Sequence, residues 1–503
     1  MALTDEVTPG VASVALEGGR GTSLPASGAA MNAIFDNREF EILKSLGRES
    51  DDHFGVLIGA GASIPAGLPN WPTLVARLLH LSGIAEDESS ARQMLSGQDI
   101  LLATEVAIHS SSNPKEMLYR AIYNTTSPTE AMGIFDPAAS HYELARLAVD
   151  RTPSQVSLLT LNVDDLLEDA IESILGSGSY YARDSASPRA RPDMYEIHHL
   201  HGLISRDATR ISQRAIFTLS DYNRLLRSRT SWQLGAFQEC LQRGPLLLYG
   251  TSYGDIEIRC WLDELYVGGK SGLQNVYTIL SRQGLSLTIE QFKRAKEFIR
   301  RKWPGAIFVD SHGDAVQALR EIRSIGDQAY KPPASRIANH WQVVMRNFSD
   351  WQASDVQNLE NDLATKLSHW AGSAAALSLW IVDGGGMLVQ WAVSGTVHTC
   401  SSALRRVQIS HESSWVECES LCSERISVKP DIPRVGNMRW KSIAACPVFG
   451  AFPGGPELAV GAISLASEER IEDQDVDGLA YAMADLANHW RYRLEDRFHS
   501  AEM

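Results

Sequence analysis

The sequence predicts an α/β body on a doubly wound parallel sheet, with a helical insertion, followed by a smaller α+β unit. Two observations carry the first part. Short apolar runs recur at 54–59, 155–161, 245–250, 275–280 and 305–310, and they are nearly continuous rather than alternating. Strands buried on both faces of a parallel sheet read this way. Helical stretches separate them, and strands alternating with helices imply a doubly wound order. The third observation is a change of pattern after "YKPPASR", where paired strands flanked by helices replace the alternation.

Taken in order, residues 1–34 are rich in Gly, Ala, Ser and Thr and lack periodicity, so a disordered tail is expected. Met31 is as good a start as Met1 on this reading. Residues 35–329 form the α/β body, with a largely helical span from about 72 to 150 over the sheet edge. Within it Asn113 caps a helix that has Pro114 in its first turn, and Thr288 with Gln291 forms a capping box. Residues 330–337 are a linker stiffened by Pro332 and Pro333. Residues 338–503 supply a long helix over about 338–371, two strands, a helix around "HESSWVECESLCSER", two more strands and a final helix over about 472–496.

Bulk properties narrow the function. With 503 residues the chain exceeds one core. A formal charge of −15 argues against a general nucleic-acid binder. No apolar run reaches about 18 residues, which excludes a helical membrane span. Six irregularly spaced cysteines and no secretory leader point to the cytoplasm.

Polar and small residues gather at the strand ends, where an open sheet presents its ligand crevice. "FGVLIGAGASIPAGLP" follows its strand with Gly59, Ala60, Gly61, Ser63 and Gly67 before a helix begins at "WPTLVARLL". Such a turn lets a diphosphate approach backbone N–H groups. Ile64 stands where the usual dinucleotide fingerprint has its third glycine, which argues against a dehydrogenase. "LLTLNVDDLLEDA" ends a strand with Asn162, Asp164 and Asp165. "IHHLHGLI" sets His201 beside Gly202, and "LLLYGTSYGDIEI" brings Gly250, Thr251, Ser252 and Asp255. Taken singly, His201 reads as a core histidine, Asp165 as a helix N-terminal charge and Tyr222 as packing.

The order GAGxS…G, TxNxDxL, LHG, GxSxxD resembles the sirtuin-like NAD-binding domain, over about 50–325. "FTLSDYNRLL" (217–226) is similar to the stretch after LHG in its bacterial defence branch. The resemblance implies that Gly59, Ala60, Gly61 and Ser63 cradle the NAD phosphates and that Asn162 and Asp164 flank the nicotinamide ribose. It further implies His201 as general base, and Gly250, Ser252 and Asp255 on the adenosine side. Lysine-deacylating sirtuins carry a four-cysteine zinc module beyond the histidine, whereas only Cys240 and Cys260 lie between 201 and 330. The expectation is therefore a metal-free NAD hydrolase that forms ADP-ribose and nicotinamide, acting in abortive antiphage defence. A zinc-free deacylase and a non-catalytic NAD or ADP-ribose sensor remain the alternatives.

The C-terminal element order and "AVGAISLAS" resemble a GAF-type sensor domain, which implies a gate, a small-molecule or protein trigger and homo-oligomers. Trp380, Trp391, Trp415 and Trp440 fit aromatic packing better than a ligand ring. Cys418 and Cys422 share a helix face without further metal ligands nearby. Leu479, Met483, Leu486 and Trp490 form a stripe suited to a partner helix or to the chain's own sheet.

Overall fold

A computed structural model describes residues 35–49, 52–186, 192–212, 215–251, 255–267, 275–371, 374–432 and 439–502. The expected tail (1–34) and Ser252 lie outside the described residues.

The first sheet holds β1 (Phe54–Ile58), β2 (Val156–Thr160), β3 (Tyr180–Arg183), β4 (Tyr195–His199), β5 (Leu246–Tyr249), β6 (Val276–Ser281) and β7 (Gly305–Val309). Every pairing is parallel, in the order β3-β4-β2-β1-β5-β6-β7. The chain leaves β1 toward β2 and later returns to its other side at β5, so the order reverses around β1. This doubly wound arrangement places a crevice beyond the carboxyl ends of β1, β2 and β5. Val56 and Ile58 enter one hydrophobic core and Leu57 the opposite one, which is why the run is apolar without alternation. Helices from Trp71–Leu81 to Ala139–Val149 form the insertion; those up to Pro128–Ile134 share a core of their own, while Ala139–Val149 packs into the core of the sheet. The Asn113 cap, with Pro114 at the first helical position, and the Thr288–Gln291 capping box are both formed.

The second sheet holds β8 (Ala375–Val382), β9 (Met387–Val393), β10 (Arg406–Gln408), β11 (Ser427–Lys429), β12 (Ser442–Gly450) and β13 (Leu458–Ser467). It is antiparallel, in the order β10-β9-β8-β13-β12-β11. Helices flank it, giving the α+β arrangement the element order implied. Leu479, Met483, Leu486 and Trp490 of the helix Val476–Glu502 are buried in this unit's core. That stripe covers its own sheet and is not open to a partner helix. Trp380 and Trp391 are buried, donating to Ser464 and Asp355. Trp415 meets Trp380 edge-on, and Trp440 lies under the Arg439 guanidinium. No helix among the described residues is long and apolar enough to cross a membrane.

Two elements differ from expectation. The single helix over 338–371 is three: Pro333–Arg346, Phe348–Thr365 and Ser368–Ala371. At the first break the Asn347 side chain donates to the Val343 carbonyl, competing with the helix's own ladder. The first of these helices also begins inside the stretch read as linker, with Pro333 where a missing N–H costs little.

Candidate functional site

The loop after β1 runs through two short 3₁₀ turns, Ala60–Ala62 and Ile64–Ala66, with Ser63 between them. Its glycines are pressed against the end of β5. A Cβ at Gly59 would come 2.7 Å from the Gly250 carbonyl oxygen, and one at Gly61 2.9 Å from Gly250 Cα. A Cβ at Gly250, whose φ is +68°, would come 2.6 Å from Ala62 N. Gly61 N–H donates to the Gly250 carbonyl at 2.8 Å. The chain itself therefore accounts for the bare backbone at 59 and 61. Gly67, φ +95°, takes the left-handed turn that leads toward the helix at Trp71.

Ser63 is the hub of a buried cluster. His141 Nδ1 accepts from Ala138 N–H at 3.0 Å, so its Nε2–H donates to Ser63 Oγ at 3.2 Å. Burial holds His141 down at about 3, which keeps it neutral. Asn162 Nδ2 donates to the same oxygen at 2.8 Å. With two donors received, the Ser63 hydroxyl directs its own proton to Asp164, whose carboxylate also accepts from Leu166 N–H at 3.2 Å. Burial raises Asp164 to about 6 against these hydrogen bonds. Asn162 and Asp164, two apart past the end of β2, thus meet on one serine from the neighbouring strand's loop.

His201 leaves the end of β4, which pairs with β2 in the register Thr160↔His199. Its Nε2 lies 2.6 Å from Glu257 Oε1, both side chains being buried, and its ring meets Tyr222 edge-on at 5.5 Å. Burial opposes a charged imidazole here, but the Glu257 carboxylate outweighs it, with Asp255 adding to the effect, so the His201 pKa is raised. Burial likewise opposes the Glu257 carboxylate, which His201 nonetheless holds below its ordinary value. Gly202 needs its φ of +91°, and a Cβ there would come 3.0 Å from Ser212 Cβ.

Thr251 and Asp255 lie on the β5–β6 side, lining a crevice of about 10 Å³ with Thr278 and Trp303. A larger cleft, about 620 Å³, opens beside Leu200 and Gly202, with Arg224 and Trp232 on its wall. Asp165 belongs to neither: its carboxylate binds Arg206, which is 1% exposed and also bonds Asp169 and the Phe135 carbonyl. Among the described residues no cluster of three metal-ligating side chains occurs.

Sequence reasoning missed three participants. Glu257 stands two residues after Asp255 in "DIEIRCWL", with nothing local to single it out. His141 belongs to the helical insertion, 78 residues from Ser63. His199, at the end of β4, places Nε2 2.5 Å from Glu168 and Nδ1 3.2 Å from the Asn162 carbonyl oxygen. Burial opposes its charged form, yet Glu168 raises its pKa, so both nitrogens can donate and fix Asn162.

The profile of the SIR2-like domain family matches residues 156–300. That span holds Asn162, Asp164, His201, Asp255 and Glu257, while the 59–67 loop precedes it. No curated protein matches the chain. Among solved structures the chain is similar to a Sir2 in complex with an inhibitor, 2′-O-acetyl-ADP-ribose and a deacetylated peptide. That likeness has 14% identity, 55% of this chain and 96% of that one covered, and a TM-score of 0.24. It is also similar to free methionine-R-sulfoxide reductase from Neisseria meningitidis, at 18% identity over 35% and 95% of the chains, TM-score 0.21. A structure of a GAF domain matches at 18% identity over 31% and 85%, TM-score 0.20.

Proposed function

We propose that this protein hydrolyses NAD to ADP-ribose and nicotinamide in the cytoplasm, with residues 35–329 as the catalytic part. Residues 338–503, joined through 330–337, are its regulator. The observation that carries the reading is the hydrogen-bond cluster in which Ser63 joins Asn162 to Asp164 at the sheet's switch point, one strand from the His201–Glu257 pair.

NAD is the substrate, and no metal takes part. Gly59, Ala60, Gly61, Ser63 and Gly67 shape the turn that its diphosphate lies against, while Gly250, Thr251, Ser252 and Asp255 flank the adenosine side. Asn162 and Asp164 face the nicotinamide ribose. The ribose–nicotinamide bond breaks with its electron pair leaving on nicotinamide, which departs neutral. The Asp164 carboxylate and the Asn162 amide oxygen oppose the positive charge left on the sugar. Water attacks that carbon and gives its proton to His201. For this the imidazole must first lose the proton that Glu257 favours, so the Glu257 contact restrains the resting enzyme. A role in abortive antiphage defence, with assembly into homo-oligomers on a trigger, is supported by the resemblance of 217–226 to the defence branch and by the need to restrain such an activity.

Turnover in heavy-oxygen water tests the acceptor. The reading expects one labelled oxygen in ADP-ribose with no peptide present. Turnover only with an acylated peptide identifies a deacylase instead.

A further inference from the structure

The parallel-sheet body and the second sheet's unit meet through charged side chains. Buried Arg320 bonds both oxygens of Glu424, at 2.8 and 2.7 Å, and Arg282 reaches Glu412 at 2.6 Å and Asp310 at 2.5 Å. Backbones come close as well, since a Cβ at Gly313 would lie 2.8 Å from the Cys422 carbonyl oxygen. Beside this seam lies a cavity of about 410 Å³, within the range of roughly 300–1,000 Å³ usual for small-molecule sites.

Its lining offers donors. Arg425 lines the cavity, is exposed and makes no ion pair among the described residues, so its guanidinium is open to a ligand. Gln283 uses Oε1 to accept from His312 N–H at 3.1 Å, leaving its amide N–H groups without a partner among the described residues. His411 engages Asp310 and Arg282 through Nδ1, and its Nε2 is unpaired among the described residues. β11 ends the second sheet, so its outer backbone edge has no strand neighbour among the described residues. The one acid in the lining, Glu419, is neutralised by Lys429 at 2.9 Å.

We infer that this seam cavity binds a small anion carrying a phosphate or carboxylate, with Arg425 as its counter-charge and Gln283 and the β11 edge as hydrogen-bonding partners. Occupancy acts on the parallel sheet because Gln283 and Arg282 follow β6 directly and bind the backbone and side chain of Asp310, the residue after β7. The loop they begin carries Ser286 at a φ of +53°, a conformation that L side chains adopt reluctantly. The site itself is independent of the proposed NAD chemistry; its effect on turnover rests on that reading.

Titration calorimetry of the full chain with inorganic pyrophosphate and with citrate tests the site. Saturable binding of at least one is expected, weakened about tenfold or more in Arg425→Ala and retained more fully in Arg425→Lys, since a hydrogen-bonded charge contact has that worth. Unchanged circular dichroism verifies that the variants fold. No binding to the wild type, or equal binding to Arg425→Ala, overturns the inference; the latter places the anion elsewhere, including the glycine loop. Nicotinamide release by wild type and Arg425→Ala, with and without the bound anion, is the second readout. Arg425-dependent binding in a protein that releases no nicotinamide keeps the site and removes the hydrolase reading.

Discussion

Replacing Glu257 probes how the imidazole at 201 is controlled. Glu257 is fully buried, and its Oε2 has no hydrogen-bond partner among the described residues, so its carboxylate is stabilised chiefly by His201. Truncation to Ala leaves a buried imidazolium without its counter-charge, and breaking such a pair costs about 3–5 kcal/mol. The histidine can shed its proton and keep the loss toward the lower figure. Glu257→Gln preserves volume and a hydrogen bond while removing the charge, so its main effect is on proton affinity. The wild-type His201 pKa is raised, hence the base form gathers only on the alkaline side. With Gln, burial dominates and the pKa falls. The acid limb of kcat/KM for nicotinamide release should therefore move to lower pH. The alkaline plateau should drop, on the order of tenfold, because a weaker base accepts the proton less readily. The stability sign agrees. The raised His201 pKa contributes stability below its unfolded value that is lost as pH rises through the folded one. The lowered Glu257 pKa contributes stability above its unfolded value that is lost as pH falls through the folded one. Wild-type and Glu257→Gln acid limbs that superimpose would refute the reasoning.

Asp164 carries a cost of its own: a carboxyl raised from 3.8 to about 6 is worth roughly 3 kcal/mol against the ionised folded form. Its contribution is fully present below the unfolded value and lost as pH rises toward 6, so Asp164→Asn should be more stable than wild type to urea at neutral pH while losing turnover. Gly250→Ala should destabilise by about 1–3 kcal/mol, because the added carbon meets Ala62 N at 2.6 Å in a left-handed turn; its thermal midpoint measures this. Arg320→Met leaves Glu143 and Glu424 buried without their shared cation, and urea unfolding should show a loss of about 3–5 kcal/mol.

What the sequence made legible follows burial. Four of the five apolar runs are central strands, and the fifth, β7, closes an edge of the sheet; all five have both faces covered by the two cores, so hydrophobicity alone marks them. The three strands that reasoning overlooked, β3, β10 and β11, sit at sheet edges, are three or four residues long and lack that signal. At the site, Ser63, Asn162 and Asp164 stood in recognisable strand-end motifs. Glu257 did not, because its partner His201 lies 56 residues away and only tertiary contact joins them. The glycines at 59 and 61 point, by sequence alone, to an approach from outside the chain. The structure supplies an approaching backbone of its own at Gly250, which local sequence does not reveal.

The most direct measurement is nicotinamide release from NAD by the purified full chain, set against Asn162→Ala. The account predicts turnover without any peptide in the wild type and a fall of about a hundredfold or more in the variant, the scale of losing one preorganised polar contact to developing charge. Equal rates in the two proteins, or saturable NAD binding with no nicotinamide formed by either under any trigger tested, would contradict it.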